Sequence, residues 1–281
     1  MTEGNVGLAV IGAGVMGTGI AALASGSGVP VVLVDVDPAA LERAERAIGG
    51  HIRMGQLYGK LSRTVEAGPV RYTGVLADAA DADVVIEAIV EVTEAKAKVY
   101  AELSALVRQD AVLVTNTSGI PVDELAGHVR HPERVVGAHF MNPAYMIRTV
   151  EVIRGPRTAQ DALDRLVALL TVLGDEAVVV NDGPGFVINR ILQRMINESA
   201  RIVSEGLASP GDVDRLFKGC LGHTTGPLAT ADLIGLDNVV DSLRALYERT
   251  GDPGYAPCDL LTAKVAEGDF GRKTGRGFFT Y

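Results

Sequence analysis

Short apolar runs alternate with longer amphipathic stretches along the first part of the chain. Each run has the length of a buried strand, and each stretch has the apolar spacing of a helix. The strands predicted in this way are Val6–Ile11, Val29–Val34, a short one near Arg71–Thr73, Asp83–Ala88, Ala111–Thr115, Arg134–Ala138, Thr149–Ile153 and Glu176–Val180. Strands that alternate with helices predict a mostly parallel sheet that is covered on both faces.

Several helix ends are predicted from individual residues. Asp37 is expected to cap the helix after the second strand, with Pro38 in its first turn, and Gly49-Gly50 is expected to interrupt that helix. Thr93 is expected to cap the helix after the fourth strand. The first helix is predicted to end near Ser27, and the helix that begins at Thr93 is predicted to end at Val107. A further helix is predicted over Ala159–Leu173.

The pattern changes at Asn181–Gly185, a run of Asn, Asp, Gly, Pro and Gly. Beyond it, apolar residues recur at helical spacing, and no strand alternation returns before the aromatic tail Phe278-Phe279. The helices predicted there are Phe186–Gly206, Asp212–Gly219, Leu228–Arg249 and Asp259–Glu267. The sequence therefore predicts an α/β domain over residues 1–183 and an all-helical domain over residues 184–281.

The first predicted strand runs directly into a glycine loop of the form GxGxxG. Gly12 would allow the tight turn, Gly14 would let the backbone approach a pyrophosphate, and Gly17 would let helix and strand pack closely. Met16 lies in the same loop. Asp35 ends the second strand, at about the ~20-residue spacing where a carboxylate takes the adenosine ribose hydroxyls and repels a 2′-phosphate. The unit predicts a Rossmann-type fold that binds NAD in preference to NADP.

A histidine and a glutamate flank the corner between two later strands. In the strand Thr149–Ile153 the alternation of side chains places Glu151 among apolar neighbours, where a charge needs a partner. The nearest candidate is His139, whose ring can donate one N–H to Glu151 and keep its other nitrogen as a base. On this stretch alone, a strand-end histidine and an edge carboxylate without a catalytic role fit equally well.

Polar residues follow several of the predicted strands at their carboxyl ends. They are Glu91, Asn116, Ser118 and His139. In open α/β sheets ligands bind at these ends, so the four residues are expected to converge on one crevice. Asn189 lies in the first turn of the helix after the boundary, where it either faces back into the crevice or caps its own helix.

Composition narrows the class of protein without naming an activity. Of the 281 residues, 47% are hydrophobic and 22% are charged, as in globular proteins, and the net charge of -9 argues against nucleic acid or an anionic membrane as a partner. No apolar run approaches the ~20 residues of a membrane span, and the N-terminus lacks a signal pattern, so a cytoplasmic location is expected. Cys220 and Cys258 lack metal-site spacing and are interpreted as reduced packing residues; no metal site is predicted.

Seven motifs follow one another in the order found in a known family. The chain resembles the L-3-hydroxyacyl-CoA dehydrogenase family, which includes the bacterial 3-hydroxybutyryl-CoA dehydrogenases, from its first predicted strand to its last residue. The motifs that carry the resemblance are Gly12–Gly17, Asn116–Ser118, His139–Pro143, Val150–Ile153, Pro184–Arg190, Gly226–Leu228 with Gly235–Asp237, and Gly271–Phe278.

The resemblance implies a role for each matching residue. It places proton transfer on His139 and Glu151, and contacts with the substrate oxygens on Ser118 and Asn189. The resemblance also implies an NAD-dependent enzyme that acts on an acyl-CoA and forms a homodimer through its helical domain. The residues expected on the cofactor side, besides the glycine loop and Asp35, are Glu91, Lys96, Asn116 and Asn142.

The substrate is less well defined by the sequence than the chemistry. Met141 and the run Pro143–Arg148 depart from the family pattern, and Gly50–Gly68, where the family grips CoA, matches weakly. A hydroxyacyl thioester on an acyl carrier protein is the main alternative, and a sugar-acid dehydrogenase or a non-catalytic NAD-binding protein are lesser ones. Dehydrogenases of the 3-hydroxyisobutyrate or 6-phosphogluconate type are disfavoured, because the boundary helix offers Asn189 and Arg190 but no lysine.

Overall fold

The computed structural model describes residues 7–281, which form two units. The first unit ends at Gly183, and the second is Pro184–Tyr281. Val6, the first residue of the first predicted strand, lies outside the described residues. No helix in the described part of the chain combines the length and apolar character that crossing a membrane requires.

The first unit is built on one eight-stranded sheet. In space its strands lie in the order β3-β2-β1-β4-β5-β6-β7-β8. The strands are β1 Leu8–Ile11, β2 Val31–Val34, β3 Val70–Thr73, β4 Val84–Glu87, β5 Val112–Thr115, β6 Val135–His139, β7 Thr149–Arg154 and β8 Glu176–Asn181. All neighbours pair in parallel except β6 and β7, which are antiparallel. The predicted strands and the mostly parallel α/β sheet are therefore confirmed.

The central strands are apolar on both faces because helices cover both sides of the sheet. All four residues of β1, β4 and β5 are buried. The helices of this unit are α1 Val15–Gly26, α2 Pro38–Leu57, α3 Thr93–Leu106, α4 Val122–Ala126 and α5 Gln160–Leu173. The short helix α4 was not among the predicted elements. It packs against β6, with Val122, Leu125 and Ala126 buried.

The predicted break at Gly49-Gly50 is wrong, because α2 runs without interruption through both glycines. A glycine costs a helix about 1 kcal/mol, and the packing of the buried Ala44 and Ile48 against the core of the unit offsets that cost. The predicted cap at Asp37 is confirmed, since its carboxylate accepts the N–H of Ala39 at 2.9 Å.

The predicted cap at Thr93 is wrong. Thr93 is the first residue inside α3, and the position before it is Val92, which offers no side-chain hydrogen bond. The local chain path keeps Val92 extended, so Val92 takes the cap position and the helix begins at Thr93, one residue earlier than a threonine cap would place it.

The second unit is helical, as predicted. Its helices are α6 Ile188–Ser204, α7 Pro210–Leu221, α8 Pro227–Ile234, α9 Leu236–Thr250 and α10 Asp259–Ala266. The single helix predicted over Leu228–Arg249 is wrong, because Gly235 ends α8 and begins α9 with a φ of 100°. A positive φ of this size lies outside the helical region and is adopted readily only by glycine. The helix therefore stops at Gly235, although the apolar spacing continues past it.

Two buried aspartates organise the second unit. Asp214 on α7 accepts the N–H groups of Leu228 and Ala229 at 2.9 and 2.8 Å, and so caps the start of α8. Asp232 on α8 accepts the N–H groups of Phe278 and Phe279, both at 2.9 Å, and so fastens the aromatic tail. Each carboxylate supplies the hydrogen-bond acceptor that these backbone N–H groups would otherwise lack.

Candidate functional site

The glycine loop joins β1 to α1 and has the shape predicted for a phosphate-binding turn. Gly12 has a φ of 104°, and a Cβ there would lie 2.6 Å from the carbonyl oxygen of Ala88. A Cβ at Gly17 would lie 1.8 Å from the carbonyl oxygen of Gly12. Gly14 is exposed, and a Cβ there would meet nothing within 4 Å. The first and last glycines are therefore required by packing, and the middle one leaves open space over the start of α1, which fits a pyrophosphate.

Asp35 lies at the end of β2, beside the glycine loop. Its carboxylate accepts the N–H of Ala13 at 2.6 Å and the N–H of Asp37 at 2.8 Å. The side chain is partly exposed, and so is that of Met16 in the loop. Asp35 thus braces the loop, and it stands where the sequence places the partner of an adenosine ribose.

His139 and Glu151 occupy opposite positions on β6 and β7. His139 Nδ1 lies 3.0 Å from Glu151 Oε2, with exposed side-chain fractions of 12% for the histidine and 5% for the glutamate. Because a carboxylate only accepts, this contact makes Nδ1–H the donor and leaves Nε2 as the nitrogen that can take a proton. β7 lies between β6 and β8, so Glu151 is not an edge charge.

The loop after β5 contributes a hydrogen-bonded group beside this pair. Glu91 Oε1 accepts the N–H of Ser118 at 2.9 Å and also the hydroxyl of Thr117. Asn116 Oδ1 accepts the N–H of Phe140 at 3.1 Å and so holds the residue that follows His139. Glu91 and Ser118 are therefore joined directly, and Asn116 holds the residue next to His139, all within the first unit.

Lys96 lies behind Glu91, at the base of this group. Its ammonium is fully buried and lies 2.8 Å from Glu87 Oε1 and 3.0 Å from Glu91 Oε2. Glu91 has 40% of its side chain exposed. Of the two carboxylates that contact Lys96, Glu91 is therefore the one that faces outward. The sequence interpretation named Glu91 and Lys96 but missed Glu87, although a carboxylate at the end of a buried strand signals a buried charge.

The two remaining predicted residues lie elsewhere. Asn142 is exposed in the turn between β6 and β7. Asn189 lies in the first turn of α6 in the second unit, where Gln193 Nε2 donates to its Oδ1 at 2.9 Å. Val187 occupies the cap position of that helix, so Asn189 is not its cap. Within residues 7–281, no three His, Cys, Asp or Glu side chains are grouped as metal ligands.

Comparison with known proteins places both units in one family. Residues 7–183 match the 3-hydroxyacyl-CoA dehydrogenase NAD binding domain, and residues 185–281 match the C-terminal domain of the same family. The chain is 40% identical over 275 residues to a probable 3-hydroxybutyryl-CoA dehydrogenase of Bacillus subtilis (strain 168), covering 97% of this chain and 96% of that protein. It is 39% identical over 277 residues to the 3-hydroxybutyryl-CoA dehydrogenase of Bradyrhizobium diazoefficiens, covering 97% and 94%.

A solved structure gives the same answer. The (S)-3-hydroxybutyryl-CoA dehydrogenase PaaH1 from Ralstonia eutropha superposes with a TM-score of 0.92 at 36% identity, covering 99% of each chain. The resemblance noted in the sequence is thereby confirmed. The chain belongs to the 3-hydroxyacyl-CoA dehydrogenase family and is an NAD-dependent oxidoreductase.

Proposed function

We propose that this protein interconverts a 3-hydroxyacyl-CoA and its 3-oxoacyl form, with a short acyl chain such as hydroxybutyryl as the first substrate to test. The observation that carries the proposal is the largely buried His139–Glu151 pair, 3.0 Å apart, in the same unit as a glycine loop suited to a dinucleotide. The names of the three relatives described above, each a 3-hydroxybutyryl-CoA dehydrogenase or a probable one, support the same substrate class.

His139 is the proposed acid and base of the reaction. Oxidation of a secondary alcohol requires a group that removes the hydroxyl proton, and Nε2 is the ring nitrogen that the contact with Glu151 leaves for this purpose. In the reverse direction the imidazolium returns that proton to the developing alkoxide. Glu151 keeps the ring in one orientation and one tautomer, and its charge stabilises the imidazolium.

Ser118 and Asn189 are the proposed partners of the substrate oxygens. The Ser118 backbone is held by Glu91, so its side chain starts from a fixed loop. Asn189 lies in the first turn of α6 and supplies an amide, which suits a carbonyl or a hydroxyl oxygen. Hydrogen bonds that are already in place where charge develops lower the barrier without further reorganisation.

The cofactor is held by the first unit. Gly12, Gly14 and Gly17 shape the turn for the pyrophosphate, and Asp35 is the proposed ribose partner. Bound there, NAD would supply the acceptor for the hydride that leaves the substrate. The proposed cofactor side also includes Met16, Glu91, Lys96, Asn116 and Asn142.

The experiment is a substrate panel read at the absorbance of NADH. Acetoacetyl-CoA, longer 3-ketoacyl-CoAs, carrier-protein thioesters and free hydroxy acids are compared with NADH and NADPH. We expect acetoacetyl-CoA with NADH to give the highest kcat/KM. Turnover of the carrier-protein thioester alone would refute the CoA assignment, and turnover of free acids alone would refute a thioester substrate.

His139→Ala tests the residue that carries the proposal. We expect kcat to fall by about two orders of magnitude, with the affinity for NADH little changed, because only proton transfer is removed. His131→Ala is a matched control, since His131 also pairs with a glutamate, Glu133, at 3.2 Å. Full turnover by His139→Ala would remove this residue from the mechanism.

The helical unit is the proposed dimer surface. Large apolar side chains are exposed on three of its helices, and in a homodimer they would be covered by a second copy. The most exposed of them are Ile191, Leu216, Leu221 and Leu233. Light scattering should give twice the mass of the 29.4 kDa chain, and a monomer at micromolar concentration would refute the proposal.

A cytoplasmic location is proposed as well. The described residues hold two cysteines, and both are free thiols, Cys220 on the surface and Cys258 buried, as suits a reducing compartment. Cell fractionation with antibody detection tests it, and recovery of the protein in an extracytoplasmic fraction would refute it.

A further inference from the structure

Glu87 is a buried carboxylate that the proposed mechanism does not use. It ends β4 between β1 and β5, and its residue is fully buried. Lys96 Nζ donates to both of its oxygens, at 2.8 and 3.1 Å, the N–H of Ile89 donates at 2.8 Å, and the hydroxyl of Thr115 donates at 3.1 Å. This carboxylate is saturated with donors and cannot itself reach a ligand.

Lys96 links Glu87 to the outward-facing carboxylate. A lysine ammonium has three N–H groups, and three carboxylate oxygens surround this one, two from Glu87 and one from Glu91. A fully buried ammonium needs such compensation, because an unpaired charge in the interior is costly. The position of Lys96 is therefore set from below by Glu87.

The two carboxylates share one cation unequally. Burial raises the pKa of Glu87 despite the nearby Lys96. Burial also acts to raise the pKa of Glu91, but Lys96 and the hydrogen bonds from Thr117 and Ser118 outweigh it and lower that pKa. A negative charge is thus better stabilised on Glu91 than on Glu87.

Glu91 connects Lys96 to the loop after β5. One of its oxygens faces Lys96, and the other accepts the N–H of Ser118 at 2.9 Å and the hydroxyl of Thr117. Loss of the contact with Lys96 would free the Glu91 side chain to rotate toward solvent. The support of Ser118 would be lost with it.

We propose that Glu87 is a positioning residue for the cofactor side of the site, acting through Lys96 on Glu91 and through Glu91 on Ser118. The proposal relies on the proposed function in one respect, the contact of Glu91 with the cofactor. Glu87 is fully buried and cannot itself reach a ligand, so any effect on the cofactor must pass through Glu91.

A double-mutant cycle on NADH binding tests this dependence. Glu87→Gln, Glu91→Gln and the double variant are prepared as full-length protein, and the dissociation constant for NADH is measured by its fluorescence. Each single variant should bind NADH about tenfold more weakly, the weight of one hydrogen bond to a charged group. The double variant should bind no more weakly than Glu91→Gln alone, because both substitutions break one chain of contacts.

Two further variants separate positioning from general stability. Thr115→Val removes one hydrogen bond from Glu87 and keeps the core packed, so it serves if Glu87→Gln does not fold. It should weaken NADH binding two- to threefold, and not at all in the Glu91→Gln background. Asp175→Asn is the control, since it alters another buried carboxylate, paired with Arg148, and should leave NADH affinity unchanged.

The outcomes are decisive. Additive losses in the cycle, or unchanged NADH affinity in Glu87→Gln and Thr115→Val, overturn the positioning role. Because the readout is NADH binding, it does not depend on the acyl substrate. A wild-type protein that binds NADH but turns over no thioester would overturn the proposed function and leave the cycle as a valid test of Glu87.

Discussion

Replacing Glu151 by Gln isolates the charge of the buried carboxylate from its shape. Gln has nearly the same size, so β7 keeps its packing between β6 and β8. The amide can still meet His139 Nδ1 across 3.0 Å, either as a neutral acceptor or as a donor that forces the other tautomer. In the first case the imidazolium loses its counter-charge, and in the second Nε2 carries the proton and is no longer a base.

The size of the effect follows from the contact that is lost. A hydrogen bond to a charged group contributes about 1.5–3 kcal/mol, more than a neutral one, and the pair is almost fully buried, with 5% of the Glu151 side chain exposed. Since about 1.4 kcal/mol changes a rate tenfold, kcat should fall roughly 10- to 100-fold. The dissociation constant for NADH should stay within about twofold, because neither residue lies at the glycine loop.

The assay is steady-state oxidation of NADH with acetoacetyl-CoA, together with NADH fluorescence titration. Glu176→Gln is the matched control: it makes the same substitution on the neighbouring strand β8, at an exposed side chain. A Glu151→Gln variant with kcat within about twofold of wild type would refute the orienting and charge-stabilising role. A loss in NADH affinity equal to the loss in kcat would instead indicate a general collapse of the site.

Four other substitutions probe the fold and its pH dependence. Gly17→Ala should weaken NADH binding more than tenfold and lower Tm, because its Cβ would lie 1.8 Å from a loop carbonyl oxygen. Gly14→Ala should weaken NADH binding at unchanged Tm, because its Cβ would meet nothing within 4 Å. Equal Tm values for the two variants would refute this. Asp214→Ala should cost about 1–2 kcal/mol in urea unfolding through the lost α8 cap, and no change would refute the cap. Burial raises the pKa of Asp175 to about 6, although the nearby Arg148 acts to lower it. Between pH 4 and 6 the native state therefore keeps a proton on Asp175 that the unfolded chain releases. The free energy of unfolding should fall across that range by about 1–2 kcal/mol after solvent screening, and Asp175→Asn should remove the fall; an unchanged pH profile would refute it.

The elements that the sequence predicts correctly are those with a strong local signal. β1 and the glycine loop combine an apolar run, three glycines at fixed spacing and a helix, and all are present. Strand ends differ from the prediction by one or two residues, as at Val31, because the hydrogen-bonded ladder begins only where a neighbouring strand is aligned.

The elements that the sequence predicts wrongly are decided by packing. Gly49 and Gly50 are weak helix formers, yet α2 continues because its buried residues join the core of the unit. At Gly235 the opposite holds: the apolar spacing predicts one helix, and a single residue with positive φ divides it. In α2 a local preference of about 1 kcal/mol per glycine is smaller than the tertiary contacts around it, whereas at Gly235 the backbone conformation of one residue overrides the apolar spacing.

The same distinction explains which parts of the site could be found from sequence. His139 and Glu151 are 12 residues apart, and a strand, a corner and a strand bring them opposite each other, so alternation along β7 suffices to pair them. Glu87 and Ser118 are connected through Lys96 on α3 and then Glu91, which is possible only because β4 and β5 are neighbours in the sheet. No local sequence pattern predicts that β4 and β5 are neighbours. The only sequence signal for it is a carboxylate in a run that is otherwise apolar, and a buried charge of this kind implies a partner that the fold must bring to it.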